Sequence, residues 1–262
     1  MGNRLVYAAL VLAGLVMLAP FGWTVLASLS PGGVVEWPPG GSLGAYGELL
    51  RAMPFWRILV NSVVVAALST GLQVGTSALA AYGFARLEFP GKEAIFVVYL
   101  ATLMIPMQVL VVPLFIEMRS LDLVDTYAGL LAPTIASGFG VYFLRQAVRQ
   151  VPRELDEAAV IDGAGHLRVF ASVVLPLVRP ALATFAIFSF MASWNAFLWP
   201  LVILRSPEFM TLPLGLANLH GQFTTEWDVV MAGSVVSVLP ILAVYVLAQR
   251  HVIAGVARTG LK

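Results

Sequence analysis

Hydrophobic residues run along this chain in six long blocks that are separated by short polar segments. The blocks cover roughly residues 5–29, 58–82, 94–116, 127–147, 181–204 and 229–249. Each is close to the ~20 apolar residues that an α-helix needs to cross the ~30 Å hydrocarbon core of a bilayer. The pattern therefore predicts an all-α, polytopic membrane protein with six transmembrane helices, forming a single transmembrane domain over residues 1–262.

The charged residues lie almost entirely between these blocks, and their distribution predicts an orientation. With the N-terminus inside the cell, eleven basic residues fall inside and four outside. The inside set is Arg4, Arg86, Lys92, Arg145, Arg149, Arg153, Arg168, Arg179, Arg250, Arg258 and Lys262; the outside set is Arg51, Arg57, Arg119 and Arg205. Because cytoplasmic loops carry the excess of Lys and Arg, we predict a multi-pass protein of the cell membrane with both termini in the cytoplasm.

Composition agrees with a lipid environment and removes several kinds of chemistry. Apolar residues make up 60% of the chain, against ~45–50% in soluble domains, and the mean hydropathy is +0.90. The absence of cysteine excludes disulfides, thiol catalysis and cysteine-based metal sites. The first block exceeds the ~7–15 residues of a signal-peptide core, so we interpret it as a retained span.

The usual sources of energy or catalysis are also missing from the sequence. It contains no GxxxxGK[ST] phosphate loop and no HExxH or GxSxG motif. We interpret the scattered His166, His220 and His251 as structural or solvated residues. Ion-coupled carriers keep carboxylates inside their spans, whereas here no Asp or Glu falls within a block, and Glu117 lies just beyond the outer end of the third. We therefore predict that the chain is not an enzyme. If it transports a solute, a partner has to supply the energy.

The segment 145–180 is the longest one predicted in the cytoplasm, and its centre is unusually charged. Pro152 is suited to a first helical turn, and Glu154, Asp156 and Glu157 follow near that helix N-terminus, where the helix dipole favours negative charge. Leu155 would share one face of this helix with Ala158 and Ile161, at i, i+3 spacing.

The small Ala158–Ala159 pair at the centre of this helix would let a partner approach closely. Asp162-Gly163 and Gly165 predict a sharp turn, and residues 166–175 predict a second short helix. The result is a helix-turn-helix protrusion under the membrane. The alternative is a solvated loop that merely joins two spans.

The stretch EAAVIDGAGHLRVFASVVLP resembles the EAA loop of bacterial and archaeal ABC importer permeases. In this sequence the motif falls on Glu157-Ala158-Ala159, Gly163, Val173 in place of the family's Ile, and Leu175-Pro176. Further segments resemble the carbohydrate-uptake branch, specifically the second permease subunit of maltose-type and glycerol-phosphate-type systems. They are residues 61–66, 79–92, 104–115, 123–133, 143–148, 193–201, 211–216 and the closing QRHVIAGVARTG.

The resemblance implies a type I ABC importer permease fold and a role for segment 145–180 as the coupling loop. In that family the loop docks in a groove of a cytoplasmic ATPase, which binds ATP and Mg while the permease binds no cofactor.

By the same resemblance Glu157 would contact the ATPase, Ala158 and Ala159 would form the docking face, and Gly163 the turn. The full implied set is Glu154, Leu155, Glu157, Ala158, Ala159, Ile161, Asp162, Gly163 and Ala164. The implied partners are a homologous permease, two ATPase subunits and an extracytoplasmic sugar-binding protein.

Polar residues inside the predicted spans are candidates for a substrate pathway. Asn61, Gln108, Trp194 and Asn195 could meet sugar hydroxyls and ring faces, or could be hydrogen-bond partners between helices. Gly71 and Gly75 likewise indicate either helix packing or a pathway lining, and Pro106 and Pro113 predict a bend in the third span. A self-sufficient secondary carrier or channel for a small polar solute is the alternative function.

Overall fold

The fold is described from a computed structural model that covers residues 2–35, 41–219 and 226–259, with side chains for residues 4–35, 41–219 and 226–246. His220 and Lys262 lie outside the described residues, as do the side chains of Arg250, His251 and Arg258. Within the described ranges every regular element is a helix, which confirms the predicted all-α class.

The α-helices follow one another along the described part of the chain with short connections. In order they are α1 Gly2–Ser28, α2 Gly44–Ala52, α3 Phe55–Arg86, α4 Lys92–Ala101, α5 Met107–Ser120, α6 Tyr127–Leu131, α7 Gly138–Arg149, α8 Arg153–Ile161, α9 His166–Val169, α10 Leu175–Leu177, α11 Arg179–Trp194, α12 Leu198–Ile203, α13 Leu212–Leu219 and α14 Trp227–Thr259. Short 3-10 turns extend α4 to Met104 and α6 to Thr134, and a π-helix over Phe170–Val174 joins α9 to α10.

Among the described residues three long helices have the length and composition to cross a membrane, and three bent pairs bring the number to six if each pair is one span. The long ones are α1, α3 and α14, each with an apolar stretch sufficient to span a bilayer. The pairs are Lys92–Met104 with Met107–Ser120, Tyr127–Thr134 with Gly138–Arg149, and His166–Leu177 with Arg179–Trp194, bent by 99°, 49° and 80°. The prediction of one continuous helix is therefore wrong for blocks three and four, while the third bend lies before block five begins.

The first two breaks occur at residues that interrupt a helix for identifiable reasons. Pro106 has an extended backbone (φ −69°, ψ 141°) and no N–H to donate, so α5 begins anew at Met107. The predicted bend at Pro106 is confirmed, while Pro113 lies inside α5. At the second break Ser137 caps α7, with its hydroxyl accepting from the Gly140 N–H at 3.1 Å.

The fifth predicted span differs most from the structure. The block 181–204 contains all but the first two residues of α11, a non-helical stretch over residues 195–197, and then the separate helix α12. Trp194 is the last residue of α11 and Asn195 follows it, so the prediction that both lie inside a continuous helix is wrong. The mean hydropathy stays high across this break, because apolar residues continue on both sides of it.

The chain divides into two compact units, the first made of residues 1–60 and 211–242. In this unit glycines allow close helix contacts: a Cβ added to Gly233 would lie 2.3 Å from a Leu216 side-chain carbon, and one added to Gly215 would lie 3.0 Å from Ile58. The Asp228 carboxylate accepts a hydrogen bond from the Gly32 N–H at 3.1 Å.

The second unit contains residues 61–210 and 243–262. Part of its core is a buried cluster of Ala78, Ala81, Leu144 and Phe185. Gly140 brings α7 against this core, since an added Cβ would lie 2.2 Å from Phe185 and 2.5 Å from the Ser77 hydroxyl.

The Gly71–Gly75 pair of α3 behaves differently from Gly140. A Cβ added to either glycine would have nothing within 4 Å. These glycines therefore do not mediate helix packing among the described residues, contrary to the packing interpretation of the sequence.

Candidate functional site

Helix α8, the turn 162–165 and α9 form a polar hairpin in the second unit, which we call the coupling hairpin (residues 153–169). Pro152 precedes α8 with an extended ψ of 134° and occupies the cap position, one residue earlier than the sequence predicted. Glu154 and Asp156 lie in the first turn, where negative charge is favoured by the helix dipole. The predicted helix-turn-helix is confirmed.

The turn of the coupling hairpin is a Schellman motif built on Gly163. Gly163 has φ +83°, in the left-handed region that glycine adopts without steric strain. Its N–H donates to the Val160 carbonyl at 2.9 Å, and the Ala164 N–H donates to the Ala159 carbonyl at 2.9 Å. Both hydrogen bonds of the motif are present. The spacing between Ala158-Ala159 and Gly163 therefore corresponds to the last turn of α8 and its C-terminal cap.

One face of the coupling hairpin is apolar and open to its surroundings. Ile161 is 85% exposed, Leu167 77% and Leu155 43%. Glu154, Glu157, Ala158, Asp162 and Gly163 are exposed as well. Apolar side chains beside acidic ones, on a segment too polar to lie in lipid, are typical of a protein docking surface.

The opposite face of the hairpin packs on the chain itself. Ala159 and Ala164 are half-buried and contact a cluster made of Tyr82, Ala85, Val148, Val151, Val169, Val174 and Val178. Of the predicted docking pair, Ala158 is exposed, whereas Ala159 packs, together with Ala164, against residues of α3 and α7. Their small side chains allow this close approach.

Arg86, at the last position of α3, binds the hairpin and was missed as a site residue by the sequence analysis. Its Nη2 donates to the Val151 carbonyl at 2.7 Å, and its Nε lies 2.6 Å from Oδ2 of Asp156. The two side chains are 7% and 15% exposed. In the sequence Arg86 is only one of many basic residues beside a span, and nothing in that pattern indicates its partner.

The four predicted substrate-pathway residues fall into two groups. Asn61 is buried: its Nδ2 donates to the carbonyls of Glu208 and Met210 at 2.8 and 3.0 Å, and its Oδ1 accepts from the Tyr127 hydroxyl at 2.7 Å. Trp194 is 2% exposed and stacks on Phe190 at a ring distance of 5.9 Å. Both arrangements agree with the alternative interpretation, a role in packing.

Gln108 and Asn195, the other group, are exposed and lie beside breaks. Gln108 is the second residue of α5, immediately after the Pro106 break, and Asn195 begins the break after α11. The Asn195 Nδ2 donates back to the Met191 carbonyl at 2.8 Å. Within lipid, non-helical backbone is tolerated only where protein or a water-filled cavity covers it, so these two amides lie where a polar pathway is possible.

A charged network fixes the loop before α6 to the segment after α12. The Asp125 carboxylate accepts from the N–H groups of Arg205 and Ser206 at 2.8 and 3.0 Å and from the Ser206 hydroxyl. Burial alone would raise the pKa of Asp125, but these hydrogen bonds and the Arg205 charge outweigh it and lower the pKa. Among the described residues no group of three His, Asp or Glu could hold a metal ion.

Comparison with known proteins agrees with this architecture. Residues 73–258 match the family described as "Binding-protein-dependent transport system inner membrane component", and the chain belongs to this family. It is a multi-pass membrane protein and a permease subunit of an ABC transporter, as the resemblance of its EAA loop implied.

Named relatives cover most of the chain. The arabinooligosaccharides transport system permease protein AraQ of Halalkalibacterium halodurans is 39% identical over 79% of this chain and 75% of its own. The lactose transport system permease protein LacG of Rhizobium radiobacter is 32% identical over 95% and 93%. A crystal structure of a bacterial ABC transporter involved in the import of the acidic polysaccharide alginate contains a chain that superposes with a TM-score of 0.80 at 25% identity, covering 95% of both chains.

Proposed function

We propose that this chain is the membrane-spanning permease subunit of an ATP-driven, binding-protein-dependent sugar importer, and that a partner ATPase docks on the exposed face of the coupling hairpin. The observation that carries the proposal is the exposed apolar and acidic face of α8, turned away from a face that is fixed to α3 and α7. The names of AraQ and LacG, both sugar permeases, support the substrate class.

The proposed assembly contains a homologous permease, two cytoplasmic ATPase subunits and an extracytoplasmic sugar-binding protein. ATP and Mg would be bound by the ATPase subunits, and this chain would bind no cofactor. The coupling hairpin then lies in the cytoplasm, as do both termini. This orientation rests on the excess of basic residues in alternate segments.

Two exposed alanines provide a matched test of the docking face. Ala158 lies on the exposed face of α8, and Ala171 is exposed outside the hairpin, in the π-helix. Ala158→Trp adds a bulky ring in the proposed interface, so it should prevent the ATPase from co-purifying with the permease pair. Ala171→Trp adds the same ring elsewhere and should leave co-purification unchanged. Equal retention of the ATPase by both variants would contradict the proposal.

The energy source distinguishes the importer from a self-sufficient carrier or channel. Liposomes containing the permease pair alone should take up no sugar, whereas the pair with ATPase, binding protein and ATP should accumulate it. Uptake by this chain alone, without ATPase, would establish the alternative function.

For the substrate pathway we propose Gln108 and Asn195, because both amides are exposed beside breaks in membrane helices. Asn195→Leu and Gln108→Leu should lower sugar uptake while ATPase binding is retained. Asn61→Leu is the comparison: it breaks a buried hydrogen-bond network and should lower thermal stability instead. A drop in stability of the same size in all three would refute the assignment.

A further inference from the structure

Two ion pairs join the coupling hairpin to the end of α3 and the residues just after it: a buried one between Asp156 and Arg86 at 2.6 Å, and an exposed, longer one between Arg153 and Glu88 at 3.9 Å. An exposed ion pair contributes little, so the buried pair is the stronger attachment. Asp156 is the residue of α8 whose carboxylate points toward the chain rather than outward, and it meets Arg86 at the end of α3. Arg86 also donates a hydrogen bond to the carbonyl of Val151, just before α8 begins. The segment before α8 and the first turn of α8 are thus attached to the same guanidinium.

The geometry makes this contact sensitive to the loss of either partner. The Arg86 Nε–H is not aligned for a hydrogen bond despite the 2.6 Å separation, and the buried Oδ1 of Asp156 has no hydrogen-bond partner among the described residues. The carboxylate therefore relies on the Arg86 charge for compensation. Because a buried charge without its partner is strongly unfavourable, removing Arg86 should let α8 move away from α3.

A second arginine continues the connection from α3 to α4. Arg145 of α7 is buried, and its Nε donates to the Phe84 carbonyl near the end of α3 at 3.2 Å. Its guanidinium pairs with Glu93 of α4 and lies 3.9 Å from the centre of the Phe96 ring. Phe84 and Arg86 are two residues apart on α3, so these contacts form a path from α8 through the last turn of α3 to α4.

This path ends on the first bent pair. α4 is the segment that precedes the 99° break at Pro106, and Gln108 lies just beyond that break. A displacement of α8 that is carried to α4 would therefore reach one of the two places where we propose a polar pathway.

We propose that Arg86 is a positioning residue that transmits movement of the coupling hairpin to α3 and, through Arg145, to α4. This inference rests on the proposed function, since it assumes that an ATPase moves the hairpin. Arg86 and Asp156 would then determine the efficiency of coupling, which is the amount of sugar transported per ATP hydrolysed. They would not determine whether the ATPase binds.

The test compares four variants in the assembled importer, with companion permease, ATPase and binding protein, reconstituted in liposomes. They are Arg86→Gln, Asp156→Asn, the charge-reversed pair Arg86→Asp with Asp156→Arg, and the control Arg149→Gln. Arg149 is an exposed arginine at the end of α7 and should behave as the unmodified protein. Sugar uptake, ATP hydrolysis and ATPase co-purification are measured on the same preparations.

We expect Arg86→Gln and Asp156→Asn to keep the ATPase bound and hydrolysing ATP, while sugar transported per ATP falls about tenfold, within the range typical of lost coupling contacts. The charge-reversed pair should recover part of the ratio, because it restores the ionic attraction but not the bond to the Val151 carbonyl. If Arg86→Gln fails to insert, the nearly isosteric Asp156→Asn carries the test.

Three outcomes would overturn the proposal: an unchanged ratio in both single variants, loss of the ATPase from them, or no recovery in the reversed pair. Loss of the ATPase would mean that the contact only holds the docking face in place. Failure of the proposed function gives a different result, because Ala158→Trp would then retain the ATPase.

Discussion

The Schellman turn of the coupling hairpin gives a sharp prediction, because the chain places two exposed glycines two residues apart in different backbone states. Gly163 has φ +83°, whereas Gly165 has φ −76° and ψ 167°. A Cβ added to either would have nothing within 4 Å. Substituting both with the same residue therefore separates backbone strain from steric clash.

Gly163→Ser should destabilise the end of α8, while Gly165→Ser should not. A non-glycine residue in the left-handed region loses ~1–2 kcal/mol, which corresponds to roughly 5–30-fold more frequent local opening. At Gly165 the backbone is ordinary, and serine is favoured at this position because it caps α9. Gly163→Asn should fall between the two, since asparagine tolerates the left-handed region.

Hydrogen exchange of peptides covering residues 153–169, measured in nanodiscs, reports this opening directly. The amides of Gly163 and Ala164 make the two bonds of the motif, so they should exchange faster in Gly163→Ser than in Gly165→Ser. Equal exchange in the two serine variants, or faster exchange in Gly163→Asn than in Gly163→Ser, would refute the backbone argument.

Two further predictions concern the second unit. Gly140→Ala should lower stability by about 1–3 kcal/mol through overpacking, because the new Cβ would meet Phe185 at 2.2 Å; thermal unfolding in detergent measures it, and Gly71→Ala, with open space around it, is the control that should not change. The lowered pKa of Asp125 means that its contribution to stability is present at neutral pH and is lost only as the pH falls below the ordinary value of 3.8 toward the folded-state value. Asp125→Asn should speed exchange of the Ser206 amide at pH 7 and abolish that acid dependence; the same exchange rate in both proteins would contradict this.

The helical regions could be predicted because hydropathy reports the environment of a segment, and the six apolar blocks are mainly helical in the structure. The path of the backbone within a block could not be predicted so well. Pro106 indicated the first break, but residues 195–197 contain no proline or glycine, and the apolar pattern continues through them. Whether a helix stops there depends on tertiary contacts that the sequence pattern does not contain.

The coupling hairpin shows the same division. The spacing to Gly163 was enough to predict the turn, since a left-handed residue after a helix favours glycine. Which side of α8 faces inward was not predictable, because Ala158 and Ala159 are chemically identical and only the packing against α3 and α7 distinguishes them. The pairing of Arg86 with Asp156 was missed for the same reason, as the two are distant in sequence.

The bent pairs have a consequence for how a cell must produce this protein. Around the first break Met104 is 85% exposed, Leu103 52% and Ile105 47%, so interrupted backbone lies at an open surface of the second unit. Since lipid does not tolerate such backbone, we expect a copy inserted without the companion permease proposed above to be degraded by membrane quality-control proteases. We expect pulse-chase half-lives to be short for the lone subunit and long for the co-expressed pair. The ratio of the two permease subunits would then be set by degradation of unpaired copies, and equal rates of synthesis would not be needed.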